Sequence, residues 1–189
     1  AEEEAYLDRL WGFASRLPPS QNSLKAHILY RRLAFDRQQG ILDRDRFMMY
    51  IQFPRQVPYI RQDYLRRLNV PGNEFADLNA SFEGQTLYDR IGSDEPLVRG
   101  LLMDLLRDAD APTALVPWFE ENYLNRVFAE TKLLAGSGDA QRWYGMLGPS
   151  SVKTLKDRVE ADFAPDNPRL FEVDQPVRLQ LVLKNIPQL

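Results

Sequence analysis

The strongest constraint on this chain lies near its end, where Val177 to Leu183 alternate strictly. Val177, Leu179, Leu181 and Leu183 fall on one side, and Arg178, Gln180 and Val182 on the other. A period of two is the signature of a half-buried β-strand. Such a strand carries unpaired backbone donors and acceptors, so it needs a partner strand, and no equally clear one occurs elsewhere in the sequence. The run therefore reads as the opening strand of a truncated β-domain. The first residue is Ala1 rather than Met, so both ends read as cuts or processing sites in a longer polypeptide.

The preceding residues have helical periodicity broken by proline and glycine. Leu7, Leu10, Trp11, Ala14 and Leu17 form one apolar stripe on a first helix over 2–17, with Glu2, Glu3 and Glu4 at the positive end of its dipole. Pro18 and Pro19 stop it. A second helix over 23–39 buries Leu24, Ile28, Leu29 and Leu33 and ends at Gly40. Asp43 caps a short third helix carrying Phe47, Tyr50 and Ile51. Further helices follow over 59–68, from Ser93 to Leu106, over 118–134, behind Asp139, and over 151–163 with Val152, Leu155, Val159 and Phe163 inward. The helix holding Leu97, Val98, Leu101, Leu102, Leu105 and Leu106 is the most apolar and is expected at the centre.

These elements predict an all-α domain over residues 1–168, an irregular multi-helix bundle, followed at 169–189 by the start of the truncated β-domain. One internal similarity suggests a duplicated helix–connector–helix unit. VPYIRQDYLRRL at 57–68 aligns with VPWFEENYLNRV at 116–127, with Val, Pro, Tyr, Leu and Arg identical at five positions. Chance can produce a match this short.

Composition removes several classes of function. The 189 residues contain no cysteine, which excludes disulfides, thiolate metal sites and a cysteine nucleophile. No segment approaches the roughly 20 apolar residues of a membrane-spanning helix, so membrane insertion is not expected. Net charge is −3, with no global pull toward nucleic acid. Locally, residues 25–67 carry ten Lys and Arg against four Asp and Glu, while residues 68–145 carry six against thirteen. Arginine interleaved with aromatics can grip phosphates and stack on bases. Here the aromatics fall at helical core positions and four aspartates dilute the charge, which argues against nucleic acid.

Catalytic signatures are missing. The single histidine, His27, stands beside Ile28 in an amphipathic helix and reads as structural rather than catalytic or metal-binding. GSGD at 136–139 could hold an anion on its amides, but a helix stop followed by the next cap explains it better. No cofactor or metal site is implied. The reading is a non-catalytic structural or protein-interaction module of a larger multidomain protein. Its partners are the rest of the same polypeptide and, in addition, another protein. One alternative is a helical peptide-binding module whose groove is lined by Tyr59, Tyr64, Trp118 and Tyr123. The other is a hydrolase-like enzyme using the carboxylates of Glu120 or Glu130, although ten residues of helix separate these two onto different faces.

The final segment, with Pro176, Val177, Leu179, Leu181, Lys184, Asn185, Ile186, Pro187 and Leu189, resembles the opening of macroglobulin-like β-sandwich domains in proteins related to alpha-2-macroglobulin. The helical part, with SLKAHILYRRL, FAETKLL and GDAQRWYGML, resembles a segment found ahead of such sandwiches in very large exported bacterial proteins. The resemblance implies β-domain neighbours and an extracytoplasmic or periplasmic location. It transfers no functional residue, and the thioester motif of protease-trapping macroglobulins is absent.

Overall fold

Proline, glycine and asparagine punctuation sets the element ends in the computed structural model, which describes residues 2–163 and 176–185. Helix α1 spans Glu2–Ala14 and gives way to a 3-10 turn that begins at Pro19. Helix α2 spans Asn22–Gln38 and is followed by Gly40 at φ +66°. Helix α3, Arg44–Gln52, starts where the Asp43 carboxylate accepts from the Arg46 amide at 2.9 Å. Helix α4, Gln62–Leu68, ends at Asn69 in the left-handed region. Helices α5, Glu95–Leu106, and α6, Glu121–Leu134, carry the main apolar stripes, and α7, Ala140–Met146, completes a first compact unit. The chain divides into two units between Met146 and Leu147. The expected boundary at 168 and 169 lies outside the described residues.

The fold is all-α in character, and its centre differs from the sequence expectation. Helix α2, packed on α1 and α3, has nine buried residues, whereas the more apolar α5 has five. Burial of α2 extends to polar groups. Arg32 gives its guanidinium to Asp36 at 3.0 Å, Asp8 at 2.5 Å and Glu4 at 3.2 Å, which ties α1 to α2. Asp36, buried as well, also receives Arg46. A buried carboxylate with two guanidinium partners satisfies its lone pairs, and removal of either partner would expose the cost of burying it.

Residues 69–92 form a long connection whose regular structure is a single 3-10 turn at Gly72–Glu74. Anchors hold it to the helices. Asn22 Nδ2 donates to Glu74 O at 2.9 Å, the Asp77 amide donates to Ser23 Oγ at 2.9 Å, and the Ala76 amide donates to Pro54 O at 2.8 Å. His27, buried under this loop, meets Phe82 edge-on with ring centroids 5.3 Å apart. Burial, and then the charge of Arg31, push its pKa down to about 4. The ring is therefore neutral at neutral pH.

The second unit contains α8, Pro149–Asp157, and an antiparallel pair of strands, β1 at Glu160–Phe163 and β2 at Leu181–Lys184. Here two expectations are corrected. The last helix stops at Asp157 rather than Phe163, because residues 160–163 are extended and supply the partner strand that the sequence did not reveal. Among the described residues, the alternating run forms strand only from Leu181, which the register places opposite Phe163. Val177, Leu179 and Leu181 remain exposed.

Candidate functional site

The two similar segments meet each other at equivalent positions. Ile60 and Phe119, which align in the sequence, form an isolated antiparallel bridge. The Arg61 amide donates to Trp118 O at 2.9 Å, and the Glu120 amide donates to Tyr59 O at 2.9 Å. These bonds exchange under the 59-residue offset that relates the copies, so the junction has a local twofold character. The residues ahead of α4 and α6, Arg61 and Glu120, share one backbone conformation, with φ/ψ of −63/123° and −60/130°. Leu65 and Leu124, also equivalent, are both buried.

Charge does not join the copies in the way the uneven distribution suggests. Arg61 and Arg66 pair with Asp63 beside them at 3.9 and 3.3 Å. Across the junction, the Glu120 carboxylate accepts from the Gln62 amide at 3.1 Å, serving the N-terminus of α4. Arg61 Nη1 also donates across the junction to Val116 O at 3.3 Å, and backbone pairing and aromatic packing complete the contact. Tyr59 stacks on Phe119 at 6.2 Å and lies 5.4 Å from the Tyr123 ring, and Phe119 stacks on Tyr123 at 6.4 Å.

Behind this stack lies a buried ionic cluster. Arg55 is 0% exposed and Asp94 1% exposed, and the Arg55 Nε stands 3.5 Å from Asp94 Oδ2. Tyr50 and Tyr59 each donate a hydroxyl to the same Oδ2 at 2.6 Å. The Arg55 guanidinium also donates to the Tyr50 carbonyl and lies 4.0 Å from the centre of the Tyr50 ring. Burial is the main reason that both phenol pKa values rise well above 10, opposed by the Arg55 charge and reinforced by Asp94. Both tyrosines therefore stay neutral donors. The cluster is a brace that links the end of α3, the connector and the start of α5, with Arg55 Nε facing Asp94 as an ion pair rather than a hydrogen bond.

A cleft of about 850 Å³ opens beside the brace, between the 57–59 connector, the start of α5 and the first turns of α6. Of the four aromatic residues expected to line a groove, Tyr59 and Tyr123 come together on its wall. Tyr64 and Trp118 are not part of that wall, and Tyr64 instead donates its hydroxyl to Gln52 O at 2.8 Å. Glu120 lines the cleft, whereas Glu130 is buried in an ion pair with Arg99. The sequence analysis reads a helix start at Ser93 and singles out neither Asp94 nor Arg55 as a site residue. Asp94 makes no capping bond, because its side chain serves the brace. A tyrosine 35 residues away from its carboxylate partner leaves no local signal. Among the described residues no cluster of three or more His, Asp or Glu is arranged to hold a metal ion, and no helix is long and apolar enough to cross a membrane.

The structure defines an all-α body with a braced core and an open cleft. Residues 1–159 match the family described as the actin-binding protein F N-terminal domain, and the chain belongs to that family. It is similar to actin-binding protein F of Dictyostelium discoideum, 29% identical over 185 residues, which cover 97% of this chain and 8% of that protein. The chain thus spans less than a tenth of the length of that curated relative. No solved structure matches. These findings overturn the resemblance to bacterial relatives of alpha-2-macroglobulin. It rested on about 20 residues of alternating strand, a pattern that many β-proteins share, and on short phrases of the helical part, whereas the family match covers residues 1–159 as a whole. The expected β-domain partners lose their support with it, and the extracytoplasmic location had no other basis.

Proposed function

We propose that this chain is a non-catalytic protein-interaction module whose partner is actin. The observation that carries this reading is the match of the helical body, residues 1–159, to the N-terminal domain of an actin-binding protein. The relative is far longer, so its name describes a protein of which this region is a small share. In the present reading the region itself makes a contact with actin, as one module of a larger multidomain protein.

The chemistry of the interior agrees with a binding role. Buried charges are paired within the brace and the Arg32 network, as in a scaffold that holds a surface in shape. Glu120 and Glu130 do not face a common cleft, which leaves the hydrolase-like alternative without its carboxylate pair. The absence of native cysteine allows a direct test. A single cysteine introduced at exposed Glu2 (Glu2→Cys) would carry a fluorophore, and anisotropy would be followed on titration with monomeric and with filamentous actin. A saturable rise with either form is expected. A flat signal against both, up to about 100 μM, would remove the reading.

A further inference from the structure

We propose that the cleft beside the brace receives an arginine side chain presented by a protein partner. Its wall brings together Asp94, Glu95 and Glu120, with Arg126 as the one basic residue. Arg55 balances Asp94 from behind, so one negative charge remains in excess at the mouth. The carboxylates come from the starts of two different helices, α5 and α6, which the aromatic junction holds in place.

Two further features select a guanidinium over other cations. The contacts that Tyr50, Tyr59 and Arg55 make with Asp94 all fall on Oδ2, which fixes this buried carboxylate beside the cleft as a negative charge facing an incoming cation. The neighbouring wall is aromatic, with the Tyr59 and Tyr123 rings inclined at 31° to one another. A planar guanidinium can lie against an aromatic face while its fork of donors reaches a carboxylate, and an ammonium cannot do both as well. Burial, and then Glu95, push the Tyr123 pKa up, so its hydroxyl keeps its proton and holds Glu95 Oε1 at 3.1 Å on the cleft rim. The volume of about 850 Å³ accommodates one long side chain with the flanking backbone of a peptide.

The inference is independent of the actin reading, because the probe contains no actin. The blocked tripeptide acetyl-glycyl-arginyl-glycine amide would be titrated into the whole chain, labelled with nitrogen-15, and followed by two-dimensional amide NMR. Saturable shifts are expected at Ser93, Glu95, Asn122 and Tyr123, with a dissociation constant on the order of 1 mM. Glu95→Gln should weaken binding about fivefold or more while the rest of the spectrum remains that of the folded chain. Glu120→Gln, which keeps an acceptor for the Gln62 amide, offers a second reading if the first variant is unstable. The same peptide with citrulline, which has the shape of arginine without its charge, should leave the cleft amides unmoved. Equal affinity for the citrulline peptide, unchanged affinity in both variants, or no shift at these amides up to about 10 mM would overturn the proposal.

Discussion

Arg55 has the most at stake of any single side chain in the helical body, since a fully buried guanidinium is tolerated only while Asp94 supplies the opposing charge and the Tyr50 carbonyl accepts from it. Asp94→Asn keeps the volume and an acceptor for the two phenols but removes the opposing charge. It is expected to destabilise the protein by about 3 to 5 kcal/mol, read from the midpoint of urea unfolding. A loss below about 1 kcal/mol would mean that water reaches Arg55. His27 sets a pH dependence of known sign. Its pKa is about 4 in the folded chain against 6.5 unfolded, so the unfolded state takes up the proton first. Its contribution is whole above pH 6.5, drains as pH falls toward 4, and reaches on the order of 3 kcal/mol. His27→Phe, which keeps a ring against Phe82, should flatten the stability profile in that window. An unchanged slope would assign the acid sensitivity to other groups. Neither residue's importance is visible locally. His27 reads as structural from its apolar neighbours, but the partners of Arg55 are contributed from both sides of a long loop.

At the scale of elements, the junction of the two similar segments is held by packing rather than by charge. Phe119 is fully buried against both Tyr59 and Tyr123 and sits in the reciprocal backbone bridge. Phe119→Ala is expected to cost about 3 to 5 kcal/mol, while Arg66→Ala, which removes an exposed pair with Asp63, should cost less than about 0.5 kcal/mol. Comparable losses in the two urea midpoints would show that electrostatics joins the copies. Much of this level was legible. The paired VP-aromatic motifs located both halves of the junction, and proline and glycine located most helix ends. Helix starts were less legible at residues 59 and 118, where the sequence continues the apolar pattern but the backbone is spent on the bridge, so α4 and α6 begin three residues later. Strand β1 was missed because EADF has no alternation strong enough to stand apart from the helix before it.

At the scale of the whole molecule, the proposed role in recognising a protein partner needs a body of one shape, and the paired buried charges hold it so. Half of the expected aromatic groove is assembled on one wall, through Tyr59 and Tyr123, because those residues sit beside the bridge that brings the copies together. Tyr64 is bonded back to α3 instead. No residue pattern in the sequence names actin, since a binding surface has no periodicity or spacing of its own, and that partner rests on the family. The direct measurement is sedimentation of the unmodified chain with actin, as monomer by sedimentation velocity and as filament by co-pelleting. The account predicts that the folded chain moves with at least one form and that the bound fraction saturates as actin is raised. A chain that sediments alone in both experiments, while circular dichroism shows its helices intact, would contradict it.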